Sequence, residues 1–554
     1  MNPITVYRAK KIYTMDPGRP TATCIAVMDG KVLSTGSLET LQPWLDGREH
    51  RIDDSLIDKI ILPGLIDPHT HFYVSAAYMG LHYLGPIDSM GMDGPNPALE
   101  TAAAVVEKIR AVCEAEPDRN TALCFWGLDP AKQDITFDRD TLDAIVGDRP
   151  VWVITYAPHF IYVSSAALAR LDVDERCEVH GVMRYPDGRL NGVFAELNAK
   201  RIALAGMQKE LNRGTGAAGL RRLAQVAKAA GVTTTAEMVW GYLDPELEWR
   251  AHDEAVNDPA FPLRMALVPL ENAAYHRLGD KAADWIASLS QRNTDKLFFH
   301  GVKYLSDGSF PALSSRLKFP GYLDGSNGLR NDLPWDQMAE RMLPFWKRGI
   351  PIHCHANGDE ALDATLDALA SLQEIQPRFD HRYTVEHYCI NNPMQARRLK
   401  ALGGLASVNN YFVHYRSQLH SVQGYGPDRS EAVARLGTLD REGVIFALHS
   451  DSWLVVVPLH PLTAVWCAVN RLAADGKTVV APGERISVER AMRAVTIDAA
   501  YVLGKENELG SLEPGKFADF AILEADPFEV DPVEIKDIKV WGTALSGKLQ
   551  PATT

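Results

Sequence analysis

Two histidines, His69 and His71, stand one residue apart at the end of an apolar run that starts at Leu62. Side chains alternate between the two faces of a β-strand, so a strand here would point both imidazoles to the same side. Two imidazoles on one side of a strand end can hold one metal ion. Taken alone, the pair could equally be two polar residues that hydrogen-bond to their neighbours, so the rest of the chain has to decide.

Other residues that can bind a metal lie at or near the ends of later apolar runs. In chain order they are Lys303, His353, His355, His387 and Asp451. Imidazole and carboxylate ligands fit zinc, although they do not select it strongly over iron, manganese or cobalt. A bound metal brings the pKa of its water to near 7 and so supplies hydroxide at neutral pH. A carboxylate such as Asp451 could bind the metal or accept the proton of that water.

Eight short apolar runs alternate with helix-like segments through the middle of the chain. We expect strands at residues 62–71, 231–238, 263–269, 298–305, 350–356, 382–387, 404–409 and 444–450. Eight β–α units predict an α/β fold, the (β/α)8 TIM barrel, in which the carboxyl ends of all strands meet at one mouth. Such a barrel would bring the distant ligand candidates to a single site.

Both ends of the chain have short β-like segments with turn residues between them, such as Asp29-Gly30, a hairpin signal. We expect residues 1–60 and 508–554 to form one β-sandwich domain and residues 61–507 to form the barrel. The connection after the first barrel strand is too long for a loop. Residues 75–215 are therefore predicted to form an inserted subdomain that roofs the active site.

Composition limits the class of partner. The 554 residues have a hydrophobic share of 46%, enough for a large core, and a net charge of −14, which argues against nucleic acid and anionic lipid as partners. The seven cysteines are scattered without a Cys-x-x-Cys pair, which indicates reduced thiols in a cytoplasmic protein. The amino terminus lacks the apolar core of a signal peptide, and prolines interrupt the apolar stretch 454–469, so no membrane span is expected.

The chain resembles the amidohydrolase superfamily and, within it, the YtcJ-like amidohydrolases (amidohydrolase family 3). The resemblance covers nearly the whole chain, and its motifs occur in the family's order. They are residues 62–71, residues 302–309, His355-Ala-Asn-Gly-Asp359, Val385-Glu-His387 and Ser450-Asp-Ser452, with weaker matches at 183–196 and 509–519.

The resemblance implies a barrel, a β-sandwich made from both termini and a centre of one or two divalent metals, with zinc as the expected ion. The implied metal ligands are His69, His71, Lys303, His355, His387 and Asp451. In binuclear members the lysine that Lys303 matches is carboxylated by CO2 and bridges the metals. A plain ammonium paired with Asp307 or with a ligand carboxylate is the alternative for Lys303. His353 faces the same way as His355 by alternation and is the second choice on its strand.

One residue close to the implied metal ligands differs from the sequence pattern of the family. His449 stands where the family often has glycine, and it shares a face with Asp451, so it could touch the substrate or a metal ligand. Further candidates for substrate binding are His159, Trp240, Tyr411 and Trp453, each of which could instead be an ordinary packing residue. Glu196 could reach the centre from the inserted segment, or it could be a solvated helix residue.

The predicted function is metal-dependent hydrolysis of a non-peptide carbon–nitrogen bond, an amide, in a small molecule. Asp451 would take a proton from the hydroxide and deliver it to the departing amine. Lactone or ester hydrolysis and deamination are alternatives, because all of them use the same hydroxide. A barrel without catalysis that serves as a scaffold is a third possibility, against which the complete ligand set argues. A homodimer is also possible.

Overall fold

The computed structural model describes residues 3–455 and 457–552. One seven-stranded sheet takes strands from both ends of the chain. Ile4–Tyr13 and His50–Pro63 pair in parallel, and the other neighbours are antiparallel. In sheet order the strands are Lys548–Pro551, Val540–Leu545, Phe520–Leu523, His50–Pro63, Ile4–Tyr13, Thr21–Met28 and Lys31–Gly36. The two-residue turn Asp29-Gly30, with φ of 54° and 77°, joins the last two as the sequence predicts.

Two parallel sheets form the centre of the molecule, and each of the eight expected strands overlaps a strand in them. The first sheet contains Leu65–Thr70, Val232–Trp240, Arg264–Pro269 and Leu297–Phe299. The second contains Val302–Leu305, Ile352–Ala356, Thr384–His387, Leu405–Val408 and Phe446–Leu448. We number the positions one to eight in chain order. Position four is divided between the sheets, because Gly301, with φ of 69°, bends the chain between its two halves.

The two parallel sheets meet at two seams, each with an isolated bridge. Leu270 pairs with Lys303 at one seam, and Thr70 pairs with Ser452 at the other. At the second seam the buried carboxylate of Asp67 accepts hydrogen bonds from the backbone N and the Oγ of Ser450, the latter at 2.6 Å. This contact sets the end of strand one beside the chain that leaves strand eight. The α/β class is confirmed, whereas closure into one barrel stays a prediction.

Helices pack against the parallel strands. The longest, Asp359–Ile375, buries Leu362, Leu366, Leu369 and Leu372 at helical spacing, so one apolar stripe faces the core. The α-helices of this region are Phe72–Met79, Ala217–Ala229, Pro245–Val256, Glu271–Leu278, Ala282–Leu289, Met338–Lys347, Asp359–Ile375, Pro393–Ala401, Tyr411–Tyr415, Ser417–His420, Leu436–Arg441, Pro461–Asn470, Val488–Ala494 and Ile497–Val502. Leu38–Leu45 is a helix beside the terminal sheet. No helix among the described residues is long and apolar enough to span a bilayer.

The segment between strands one and two folds around a sheet of its own. In sheet order its six strands are Val182–Arg184, Leu190–Ala195, Phe160–Val163, Val151–Thr155, Leu123–Leu128 and His82–Tyr83. A short pair, Ser89–Met90 with Pro95–Asn96, stands apart. The helices of this inserted segment are Ala102–Ala115, Pro130–Gln133, Arg139–Val146, Ser165–Leu168, Glu196–Ala205 and Gln208–Leu211. The predicted limits of the domains and of the insertion stay predictions, but this sheet explains why the segment is not a loop.

A buried ion pair links the terminal sheet to the parallel strands. The guanidinium of Arg264, at the start of strand three, contacts the carboxylate of Asp519 at 2.6 Å and 3.2 Å, and both side chains are buried. The two-point contact fixes the orientation of the terminal sheet against strand three. A second link is the single residue Gly64 between His50–Pro63 and strand one. A Cβ there would lie 1.9 Å from Thr233 Oγ1, so only glycine fits.

Candidate metal centre

Three side chains converge where strand one ends and the chain leaves strand eight. Asp451 Oδ1 lies 2.8 Å from His71 Nε2 and 3.4 Å from His69 Nε2. All three residues are buried, and His69 Nε2 has no hydrogen-bond partner among the described residues. Buried polar atoms are normally satisfied, so a free imidazole lone pair beside a carboxylate indicates a missing partner. Two imidazoles and a carboxylate are the donor set of a divalent metal such as zinc, and the residues fit that group.

Glu386 fixes the orientation of His69, and the sequence analysis missed it. Its Oε2 lies 2.6 Å from His69 Nδ1, and its Oε1 lies 2.7 Å from His353 Nδ1. A carboxylate at Nδ1 keeps the proton on that nitrogen and leaves the lone pair of Nε2 free for a metal. Glu386 is fully buried. A charged residue in the middle of a buried strand was the available signal, because such a group needs a specific partner.

His387 joins the site although strand alternation alone would point it elsewhere. Its neighbour Glu386 points to His69, and successive residues of a strand face opposite sides. However, His387 has φ of 70°, in the left-handed region, which turns its ring back. His387 Nδ1 lies 3.7 Å from Asp451 Oδ2, and its ring centroid lies 4.7 Å from that of His69. Asp451 itself has φ of 59°.

His355, and not His353, faces the cavity at the site. The His355 ring lies 4.5 Å from the His387 ring and lines the cavity, with its Nε2 3.0 Å from the carbonyl oxygen of Gly308. His353 is fully buried against Glu386 and the ring of His300, 5.4 Å away. This placement favours His355 as the ligand of strand five, which stays a prediction.

Lys303 has no ion-pair partner within the described chain. Its Nζ is buried without a hydrogen bond, and the expected alternative partner, Asp307, instead accepts hydrogen bonds from the backbone N atoms of Arg316, Asn357 and Gly358. Burial lowers the pKa of the Lys303 amine. An uncharged amine is the form that can react with CO2, so this setting is compatible with carboxylation.

His449 lies among the ligand candidates, but its ring is poorly oriented for the same ion as His69. Both of its ring nitrogens are buried without a partner, and with His69 and His387 it forms a group of three close nitrogens. Its ring, however, stacks on that of His69 at 4.4 Å with an interplanar angle of 14°. Imidazole lone pairs lie in the ring plane, so two stacked rings cannot both direct one at a single ion without rotation.

A cavity opens above these residues. His69, His71, Lys303, His355, His387 and Asp451 all line it. Most of the remaining wall is apolar, which is typical of small-molecule sites. Its apolar lining comprises Val74, Ala157, Pro158, Leu197, Val239, Leu305, Pro311, Phe412, Leu454 and Val455, together with the rings of Tyr78 and Tyr242. Pro158, His159 and Lys200 bring the inserted segment to the same wall.

Of the other expected substrate contacts, only His159 lines this cavity among the described residues. Trp240 is buried and packs against Trp285 and Phe299, with ring centroids at 5.9 Å and 4.8 Å. The Tyr411 hydroxyl donates to the carbonyl of His460 at 2.7 Å. The Trp453 ring packs edge-on against Phe72 at 6.3 Å. The structure therefore gives these three aromatic residues packing positions beside the cavity.

Glu196 matches neither of its two expected roles. It is only 1% exposed and does not line the cavity, so it is not a solvated helix residue and does not point to the ligand group. Its carboxylate instead lies against His159 Nδ1, with both oxygens at 3.0 Å. Burial and the nearby charge of Lys200 hold the pKa of His159 well below its usual range.

Comparison with known proteins assigns the chain to a family. The sequence model of the amidohydrolase family matches residues 56–550, nearly the whole chain. The chain is a member of the amidohydrolase family. The YtcJ-like resemblance is confirmed by YtcJ of Bacillus subtilis, which is 22% identical over 97% of this chain and 97% of its own length. Membership makes the protein a hydrolase of carbon–nitrogen bonds, as predicted.

Other relatives span the same length. The protein LONG AFTER FAR-RED 3 of Arabidopsis thaliana is 28% identical over 97% of this chain and 90% of its own. The N-substituted formamide deformylase of Arthrobacter pascens is 24% identical over 97% of this chain and 96% of its own. Among solved structures, an uncharacterized metal-dependent hydrolase of Pyrococcus horikoshii superposes with a TM-score of 0.69 at 20% identity, covering 96% of this chain and 99% of that one. That likeness concerns the fold.

Proposed function

We propose that the protein is a metal-dependent amidase of small molecules that hydrolyses a non-peptide amide bond. The observation that carries the proposal is the convergence of His69, His71 and Asp451 at the base of an apolar cavity. The relative named N-substituted formamide deformylase supports an amide as the bond. The apolar wall favours a substrate with an apolar substituent, because such a group loses contact with water on entering.

The metal would be held by residues of several strand ends. His69, His71 and Asp451 would hold one ion, and Lys303, His355 and His387 would complete a second position if Lys303 is carboxylated. Zinc fits this donor set. A bound divalent ion supplies Lewis acidity and lowers the pKa of water to near 7. The proposal includes closure of the two parallel sheets into one (β/α)8 barrel, since the bridges at both seams would make their strand ends a single rim.

Asp451 would act as the proton shuttle. Its carboxylate is buried within 2.8 Å of His71 and lines the cavity, so it can reach both the attacking water and the substrate nitrogen. It would take a proton from the water as the base and return it to the departing amine as the acid. The nitrogen leaves more easily as a neutral amine than as an anion, so it must receive a proton, and Asp451 would carry the one that it took from the water.

The test uses purified protein loaded with zinc and a panel of substrates: N-benzylformamide, N-benzylacetamide, a γ-lactone, benzyl acetate and adenosine. We expect turnover of the amides, and an Asp451→Asn variant with its turnover reduced by about 10²–10⁴-fold at saturating zinc. Asp475→Asn, an exposed carboxylate outside the cavity, is the control. Normal turnover by Asp451→Asn with normal metal content would refute the shuttle role.

The panel also separates the alternatives. Turnover of only the lactone or ester would replace the amidase by an esterase on the same site, and turnover of only adenosine would indicate a deaminase. Less than about one equivalent of metal after growth with added zinc would favour the non-catalytic scaffold. A homodimer and a cytoplasmic location stay predictions, for which gel filtration with light scattering and cell fractionation are the measurements.

A further inference from the structure

We propose that Tyr78, Tyr242 and Lys200 form a binding subsite for a carboxylate that the substrate carries apart from its amide bond. The preferred substrates would be amides whose apolar chain ends in a carboxylate. This inference rests on the proposed amidase function and names the chemical class of its substrate.

The three residues come from different elements and line the same cavity. Tyr78 lies in the helix after strand one, Tyr242 lies just after strand two, and Lys200 lies in a helix of the inserted segment. Lys200 Nζ is 5.9 Å from the centroid of the Tyr242 ring. Burial raises the pKa of Tyr78, and the nearby hydroxyl of Tyr242 raises it further. The three polar groups are therefore neighbours in a wall that is mostly apolar.

Each of these groups has a hydrogen-bond donor without a partner. The Tyr242 hydroxyl is buried and makes no hydrogen bond, and the Tyr78 hydroxyl makes none within the described chain. Lys200 Nζ donates to the carbonyl oxygen of Pro158 but forms no ion pair among the described residues. Buried polar groups are normally satisfied, so three such donors beside one cavity indicate a missing acceptor.

The subsite donates hydrogen bonds whatever the protonation of the neighbouring pair Glu196 and His159. A phenol keeps its proton at neutral pH, and burial raises the pKa of both tyrosines further. The lysine amine has at least one N–H beyond the one given to Pro158, whether it is charged or neutral. The matching ligand group is one that only accepts, and a carboxylate does so with two oxygens.

The charge around Lys200 favours an anion over a neutral acceptor. Burial lowers the pKa of this amine, and the carboxyl groups of Glu196 and Asp332, which form no ion pair with it, offset burial only in part. Burial also raises the pKa of Glu196 to about 8, so this group is a weak source of negative charge at neutral pH. A bound carboxylate would supply the missing counter-charge, and hydrogen bonds to a charged group are about twice as strong as neutral ones.

The selectivity follows from what an unmatched substrate would leave behind. An amide with a plain alkyl chain would exclude water from the subsite and leave the Tyr242 hydroxyl and the Lys200 amine unpaired. The loss of one hydrogen bond to a charged group lowers kcat/KM by about 10–100-fold. The apolar residues of the same wall would hold the chain between the amide and the carboxylate.

The experiment compares acetamides that end in a carboxylate with alkyl acetamides of the same chain length, on the zinc-loaded full chain. The pairs are N-acetyl-γ-aminobutyrate with N-butylacetamide and N-acetyl-ε-aminocaproate with N-hexylacetamide. Kinetics give the ratio of kcat/KM values in each pair, and calorimetry with the Asp451→Asn variant gives binding without turnover. We expect the acid to be preferred by at least about tenfold at the chain length that reaches the subsite. Its methyl ester, which has the oxygens but not the charge, should fall well below the acid.

Three variants test the assignment of the subsite. Tyr78→Phe and Tyr242→Phe remove one hydroxyl each and keep the ring, and Lys200→Met keeps the length of the side chain. Each should lower the ratio of acid to alkyl amide by about tenfold with unchanged zinc content, an effect that a purely structural role would not produce. Tyr162→Phe is the matched control, because Tyr162 is a buried tyrosine of the inserted segment that makes no hydrogen bond and does not line the cavity.

Several outcomes would overturn the inference. A ratio near one in the wild type, or a methyl ester as good as the acid, would do so while leaving the amidase proposal standing. A preference for the acid that all three variants keep would mean that the carboxylate binds elsewhere. If Lys200→Met does not fold, the two tyrosine variants decide. Preferential binding of the acid without cleavage would support the subsite and refute the amidase. If the wild type neither binds nor cleaves any of these amides, both proposals fail.

Discussion

Replacing Glu386 by glutamine should weaken metal binding although it replaces none of the candidate ligands. The two oxygens of Glu386 accept hydrogen bonds from His69 Nδ1 at 2.6 Å and from His353 Nδ1 at 2.7 Å. Burial alone would raise the pKa of this carboxyl group, but the hydrogen bond from His353 and the charge of Lys303 outweigh burial and lower it to about 2. Glu386 is therefore an anion at neutral pH, and it accepts one hydrogen bond from each of the two histidines.

The size of the effect follows from the geometry of the amide. Glutamine has nearly the same shape but only one accepting oxygen, so one of the two histidines must face an NH2 group. That ring would shift its proton to Nε2, and in His69 this is the nitrogen next to Asp451. Loss of a carboxylate behind a metal-binding histidine costs about 10–100-fold in metal affinity, which corresponds to about 1.4–2.8 kcal/mol.

Zinc affinity is measured by competition with a chromophoric chelator, and far-UV circular dichroism verifies that the variant folds. Glu484→Gln is the matched control. Glu484 is also buried, and both of its oxygens also accept hydrogen bonds, from the backbone N and the Oγ1 of Thr438 and from Arg441 Nη2, but it does not line the cavity. A folded Glu386→Gln protein with the zinc affinity of wild type would show that the carboxylate does not orient His69.

Three further predictions concern the proton, the extra histidine and the inter-sheet ion pair. Burial lowers the pKa of His71, but Asp451 outweighs it and raises the pKa to about 9 in the metal-free protein. Zinc must displace that proton, so the zinc affinity should rise about tenfold per pH unit between about pH 6 and 8. Calorimetry in buffers of different ionisation enthalpy tests the release of the proton. A zinc affinity that does not change with pH would contradict the prediction. His449→Phe should keep its zinc by metal analysis, because the native ring stacks on a ligand candidate instead of facing the ion; loss of zinc would make His449 a ligand. Asp519→Ala should lower the free energy of unfolding by about 3–5 kcal/mol in urea, whereas Asp54→Ala, in an exposed pair, should change it little; equal effects would refute the burial argument.

The sequence predicted the parts of the site that depend on strand periodicity. His69 and His71 were expected on one face because residues two apart in a strand point the same way, and both lie against Asp451. The eight strands were likewise predictable, since each is a short apolar run with turn residues around it. Alternation also left His353 and His355 equivalent, and only the depth of each residue in the fold separates them.

The remaining features depend on contacts that no local pattern contains. Glu386 and His69 are 317 residues apart in sequence, and so their hydrogen bond follows from the packing of strand six against strand one. The partner of Glu196 is set by how the inserted sheet lies over the cavity. The expected roles of Trp240 and Tyr411 were not supported because aromatic residues near strand ends serve packing as readily as binding.

The backbone at the site suggests why alternation fails there and holds elsewhere. His387, Asp451 and Glu196 all have positive φ, although none is glycine. Such residues cost free energy and persist only where surrounding contacts hold them. Here the backbone N of Asp451 donates to the carbonyl of His69, and that of Glu196 donates to the carbonyl of His159, so these two strained residues are tied to the groups that they meet. A strand that continued its regular alternation would turn His387 away from His69. The left-handed residue at the strand end is therefore the structural means by which two neighbours, Glu386 and His387, can both serve one centre.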